Sequence, residues 1–362
     1  MKLQNNHQLI TSKTLTKLWS FTAKDRFNCI RLGTIFRQTG SSLVVGGEDG
    51  NIRIYDLPIT GSPSKPQVVL ESKGGPIQTM CIYDITKFYH NDLLVADSQG
   101  LLTVFCNKQI LSRQTISTDC INSLQVLQDS TGCSQIITGT DTGVITASLP
   151  ASELWRINFN DVHTTNQSDP SKLVTITSML VVDLSDQCGV ISTYLLVADS
   201  ASMLHVINQG TIVMTLKSPA IITAMCAGRF INSSKLGVQT PSSTGINTSI
   251  TSKISQQVAL GSRTGAVYIL HNFSITLDEF ANCKCPITEL SVLKMPDKET
   301  DYLLCCGHIN SLLVFQDGKV YCEYEMSDWI NTIDTCDIDN DGLTEIVVGC
   351  LDNTVLALKL TD

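Results

Sequence analysis

Short apolar runs that meet at a tight polar turn recur seven times along the chain. Leu43-Val44-Val45 precedes the first turn and Ile52-Arg53-Ile54-Tyr55 follows it; Leu93-Leu94-Val95 and Leu102-Thr103-Val104-Phe105 flank the second. The turn position holds Gly50, Gly100, Gly143, Ser202, Gly265, Asn310 and Asn353, at intervals of 43 to 63 residues. Four residues before each stands Gly46, Ala96, Gly139, Ala198, Gly261, Cys306 or Gly349. Gly or Asn at the turn supplies the positive φ that a hairpin with matching twist needs, and a small residue just before it fits where neighbouring sheets crowd together. A further strand precedes each hairpin and opens on Ile with polar or small residues behind it, as in Ile77-Gln78-Thr79-Met80, Ile121-Asn122-Ser123-Leu124 and Ile330-Asn331-Thr332-Ile333, with Phe27-Asn28-Cys29-Ile30 the weakest copy.

A repeat of about 40 to 50 residues with four short strands is one blade of a β-propeller, a sheet that buries both faces only by packing against its neighbours. Seven copies predict an all-β, seven-bladed β-propeller. Outer strands are expected at Gln67–Leu70, Leu154–Phe159, Thr211–Met214 and Lys319–Cys322. The last blade has no such strand of its own after Leu360. Leu18-Trp19-Ser20-Phe21 resembles Leu154-Trp155-Arg156-Ile157 and is expected to cross over and complete it, removing an exposed sheet edge.

The repeat fills residues 14–362 as one domain and leaves residues 1–13 as a tail. Two segments break the period: 160–172, a polar connection between blades three and four, and 231–255, a Ser/Thr-rich insertion in blade five whose composition does not offset its ordering entropy. Hydrophobic residues make up 43% of the 362-residue chain and charged residues 16%, enough for a large core. No window approaches the span of about 20 apolar residues that a bilayer crossing needs, and the first residues lack a secretory apolar run, so a cytosolic protein is expected. A net charge of −9 without a Lys/Arg cluster speaks against nucleic-acid binding. Of fourteen cysteines, Cys29, Cys81, Cys226, Cys305, Cys306, Cys336 and Cys350 fall inside predicted strands, where a reduced thiol serves as a small hydrophobe.

The sharpest motif is Asp337-Ile338-Asp339-Asn340-Asp341-Gly342-Leu343-Thr344-Glu345. Side-chain oxygens of Asp337, Asp339, Asp341 and Glu345 with the Leu343 carbonyl can wrap a hard cation, Ca²⁺ or Mg²⁺; the same residues can also form an Asp-rich turn that caps its own backbone. Asp84 with Asp92, and Asp183 with Asp186, occupy the matching loops of other blades without the full set. The histidines, His7, His90, His163, His205, His271 and His308, show no metal-ligand spacing, and there is no nucleophile elbow or phosphate loop. No catalytic residue is assigned.

Ile330-Asn331-Thr332-Ile333-Asp334, the Asp-rich loop and Glu345-Ile346-Val347-Val348-Gly349 together resemble an FG-GAP-type blade of integrin α-subunit propellers. Within that group the chain is similar to the intracellular branch: integrin-alpha FG-GAP repeat-containing protein 2 and kaptin of the KICSTOR scaffold, and the Bardet–Biedl complex propellers. The resemblance implies a non-catalytic scaffold that binds other protein subunits, either in nutrient (TOR pathway) signalling at the lysosomal membrane or in ciliary transport, peripheral to the membrane in both cases. An enzyme or small-ligand binder that uses the central channel is the competing class.

Overall fold

A computed structural model describes residues 14–59, 65–129, 131–163, 173–186, 188–232, 256–276, 278–295 and 298–361. The tail 1–13, most of segment 160–172 and the insertion from residue 233 onward lie outside the described residues. The seven expected sheets are present, each antiparallel and, in six of the seven, four strands wide, with chain order running from the innermost strand outward. Only the last sheet departs from that order: Thr14–Thr22 joins as the outer neighbour of Thr354–Thr361 and closes the ring. Ser20 pairs with Leu356 and Trp19 with Ala357, with a register shift at Leu18. Trp19 and Phe21 are both buried, and the Phe21 ring meets Tyr55 of blade one at 5.2 Å, so the latch packs into the seam as well as hydrogen-bonding along it.

The outer strands fall where the apolar pattern places them, Val68–Glu71, Ser152–Asn158, Thr211–Lys217 and Lys319–Glu325, and blade two adds Gln109–Thr115. Blade five differs. Its outer edge is split into Ser274–Ile275 and Ala281–Asn282, both paired to Ala266–His271, which is why no continuous apolar run marks it. The segment after Phe159 also departs from a plain loop, since Phe159–His163 forms one helical turn. No helix among the described residues is long and apolar enough to cross a membrane.

The core is divided seven ways, one cluster between each pair of consecutive blades. Close approach across those interfaces explains the small residues of the repeat. A Cβ on Gly46 would stand 2.8 Å from Ile77 Cγ2 of the next blade, and one on Gly349 would stand 2.4 Å from the Phe27 ring across the seam. Six of the seven turn positions have positive φ, from 61° at Ser202 to 92° at Gly265. Asn310 is the exception; there the chain bends one residue earlier, with Ile309 N–H donating to the Gly307 carbonyl.

The polar residue behind each opening Ile also has a structural cause. In all seven blades the register between first and second strand shifts at that residue, a β-bulge repeated around the ring. The bulge turns the side chain toward the neighbouring blade. Asn28 Nδ2 donates to the Ile77 carbonyl at 2.9 Å, Asn122 Nδ2 to Ile176 at 3.4 Å, Thr177 Oγ1 to Ile222 at 2.5 Å and Thr223 Oγ1 to Ile287 at 2.6 Å. Asn331 Nδ2 closes the circle onto the Phe27 carbonyl at 3.0 Å. The ring is therefore fastened twice, at its outer edge by the latch and at its hub by these bonds.

All fourteen cysteines are free thiols, and Cys29, Cys226, Cys283, Cys305, Cys306 and Cys350 are buried. Burial pushes the thiol of Cys29 up to about 12 and that of Cys81 to about 11, which keeps them protonated packing groups.

Candidate functional site

The Asp-rich motif lies in blade seven, between its innermost strand Ile330–Cys336 and Glu345–Cys350. One ligand oxygen each from Asp337, Asp339 and Glu345 lies within 4.8 Å of the others. Glu345 is fully buried at the head of its strand; its Oε2 accepts the Ile338 N–H at 2.9 Å. Asp337 Oδ2 accepts the Gly342 N–H at 2.9 Å, while its Oδ1 is buried without a hydrogen-bond partner. Asp341 stands outside this trio, and its Oδ1 accepts the N–H of the exposed Leu343 at 2.9 Å.

A residue that the motif alone did not reveal completes the arrangement. Ile346 pairs with Leu358, which sets Glu345 across from Lys359. Lys359 Nζ lies 3.0 Å from Asp339 Oδ2, 2.5 Å from Asp341 Oδ2 and 2.9 Å from Glu345 Oε1, the last a charge contact without hydrogen-bond alignment. Desolvation opposes the ammonium charge, but the carboxylates outweigh it and raise the Lys359 pKa. Desolvation raises that of Glu345, with the Ile338 N–H and Lys359 opposing. The donor set, all oxygen with one orphaned atom, fits a hard cation; the lysine already supplies one positive charge to it. Both features were open from spacing alone, because Lys359 is brought in by the hairpin from fourteen residues beyond the motif.

Of the related acidic residues, Asp84 and Asp186 shape turns, whereas Asp183 lies within the strand Ile176–Ser185 and Asp92 opens the strand Asp92–Asp97. Asp186 Oδ1 accepts the N–H groups of Cys188 and Val190, and Asp183 Oδ1 accepts the Thr193 hydroxyl. Asp84 accepts the Phe88 and Tyr89 N–H groups, each at 3.0 Å, and so shapes a loop with two aromatic side chains on its outside. Phe88 is 64% exposed and Tyr89 99%. Their loop is held from several sides: the His90 ring is hydrogen-bonded to the Phe88 carbonyl, Asn91 Nδ2 donates to the Thr34 carbonyl, and Phe36 N–H donates to the Asn91 carbonyl. Both aromatics line a surface depression of about 780 Å³ between blades one and two.

The channel also carries charge that belongs to no sequence motif. Arg31, Glu289 and Asp334 come from the innermost strands of blades one, six and seven. Arg31 Nε donates to the Met80 carbonyl and Nη1 to that of Ile30. Asp334 accepts the Leu32 and Thr335 N–H groups, and Glu289 Oε2 accepts the Ile333 N–H. These bonds stitch blade to blade. Desolvation pushes Glu289 up to about 7, with Arg31 opposing and Asp334 adding to it. His205 is buried, with Nε2 3.0 Å from Asp199 Oδ2 and Nδ1 3.1 Å from Thr215 Oγ1.

No protein-family model matches the chain, and no curated protein matches it. Among solved structures it is similar to BBS1N in complex with ARL6DN, at 12% identity and a TM-score of 0.69 over 96% of this chain and 97% of that one in a lead-soaked crystal. A mercury-soaked crystal of the same complex gives 13% and 0.67 with the same coverage. The WD40 β-propeller domain of Doa1 is similar at 12% identity and a TM-score of 0.62, again over 96% and 97%. At these identities the likeness is one of fold.

Proposed function

We propose that this chain is a non-catalytic scaffold that binds partner proteins within a multi-subunit assembly. The observation that carries the reading is the Asp84–Asn91 loop, which holds two exposed aromatic side chains in a fixed hydrogen-bonded frame on a doubly fastened ring. Aromatic anchors dominate binding energy at interfaces, and a loop ordered beforehand spares the complex the entropy of ordering it. Among the similar structures, BBS1N is a propeller seen in complex with ARL6DN, which supports a protein as occupant. The channel charges support the same reading, because each is engaged by backbone groups of neighbouring blades.

The finer assignment is a KICSTOR-like role in nutrient signalling, with a Bardet–Biedl-like role in ciliary transport as the alternative; the protein is taken as cytosolic and peripheral to membranes. In this scaffold the 337–345 loop is a clamp on blade seven, held by Lys359 and able to take one Ca²⁺ or Mg²⁺. Affinity purification of wild type and of a Phe88→Ala/Tyr89→Ala variant from the native cell, quantified by mass spectrometry, tests the proposal. Partner subunits recovered with wild type and lost with the equally stable variant are expected, and their identity separates the two branches. Identical recoveries refute the loop as the docking element. Turnover on a hydrolase panel that disappears in Glu289→Gln would instead favour a channel enzyme.

A further inference from the structure

Blade two contains a second converging group, unrelated to the sequence motif. His90 precedes the strand Asp92–Asp97, Asp92 opens it, and Cys106 ends the next strand, Leu101–Cys106. Leu93 pairs with Phe105, which sets Asp92 across from Cys106. One ligand atom from each of the three residues lies within 4.8 Å of the others.

Three details point to a bound cation. Asp92 is fully buried, its Oδ2 accepts the Thr86 N–H at 3.0 Å, and its Oδ1 has no hydrogen-bond partner. His90 Nδ1 lies 2.9 Å from the Phe88 carbonyl; as the donor there it leaves Nε2 with its lone pair, 3.8 Å from Cys106 Sγ. That outer hydrogen bond is how metal-binding imidazoles are fixed in tautomer and direction. The propeller's own repeat supplies the third detail. Asp92 and Glu345 occupy equivalent buried positions, and the cross-strand neighbour is Lys359 in blade seven but a neutral Cys106 in blade two. The carboxylate in blade two thus has no lysine across the strand pair, although the Arg37 guanidinium acts on Cys106 from outside it.

We propose that His90, Asp92 and Cys106 form a three-ligand site for a borderline-soft divalent cation of the zinc class. Nitrogen, oxygen and sulfur donors in one set suit Zn²⁺ over Ca²⁺ or Mg²⁺, and three protein ligands leave a fourth position for water or a partner's side chain. On binding, the Cys106 S–H bond breaks, the proton passes to solvent and the thiolate lone pair forms the metal–sulfur bond. The site sits beneath the exposed Phe88–Tyr89 loop through the His90–Phe88 hydrogen bond, and a bound ion would brace that loop.

Cobalt titration of the full chain tests the site, because Co²⁺ reports thiolate ligation by a near-ultraviolet charge-transfer band and the all-oxygen blade-seven loop cannot produce one. One equivalent of Co²⁺ with that band, displaced by Zn²⁺, is expected for wild type. Cys106→Ser should abolish the band and His90→Gln, a change near the surface, should weaken cobalt binding by more than about tenfold. No band in wild type, or a band that persists in Cys106→Ser and is unchanged in His90→Gln, overturns the proposal.

Discussion

Glu289→Gln isolates the physics of the channel. The carboxyl lies at the hub with Asp334 and Arg31 as charged neighbours, and desolvation lifts it from 4.5 to about 7. A folded-state pKa above the unfolded value means that the native protein binds the proton more tightly, so stability is greatest below the unfolded pKa and declines as pH rises toward the folded one. A difference of that size corresponds to about 3 kcal/mol at 1.36 kcal/mol per pH unit, an upper bound because solvent reaches part of the side chain. Glutamine keeps an acceptor for the Ile333 N–H and cannot ionise. Urea unfolding of both proteins between about pH 4.5 and pH 8 should show the wild type losing up to about 3 kcal/mol relative to Glu289→Gln, with the loss levelling off above about pH 7. Glu345, also raised by desolvation, contributes the same sign to both proteins and cancels in the difference, whereas Asp334 enters that difference through its coupling to Glu289. Parallel stability curves would refute the assignment of a raised Glu289.

Lys359→Met removes the ammonium from three carboxylates, one of them fully buried, and should cost about 2 to 4 kcal/mol in chelator, a part of which Ca²⁺ or Mg²⁺ restores. Thermal melts with and without each ion check this; a loss that neither ion reduces removes the metal reading of the loop. Gly349→Val forces a side chain into the Phe27 ring across the seam and should destabilise by about 1 to 3 kcal/mol in chemical denaturation, whereas Gly189→Ala, where a Cβ meets nothing within 4 Å, should cost less despite its positive φ.

The architecture was legible because a propeller blade repeats its constraints. Gly46, Gly139, Gly261 and Gly349 mark interfaces where the next blade leaves no room for a Cβ, and the polar residue behind each opening Ile marks a bulge. The latch was readable because Trp19 and Phe21 carry the apolar alternation of a strand. Sites were less legible for a reason of the same kind: a hairpin joins residues that are far apart in sequence. Lys359 reaches the Asp-rich loop, and Cys106 reaches His90 and Asp92, only through cross-strand pairing. Linear spacing therefore identified the acidic half of the blade-seven cluster, and of the blade-two group only Asp92. The outer edge of blade five escaped for a different reason, since two-residue strands leave no period to detect.

Closure of the ring by its first strand is tested most directly by native-state hydrogen exchange along Thr354–Thr361. That strand lies between Glu345–Cys350 and Thr14–Thr22, so alternate amides point to each neighbour. If the latch holds, both sets exchange only through global unfolding, as slowly as the amides of Glu345–Cys350. If the set facing Thr14–Thr22 exchanges at the rate of an exposed sheet edge while the other stays protected, the ring is open and the account fails.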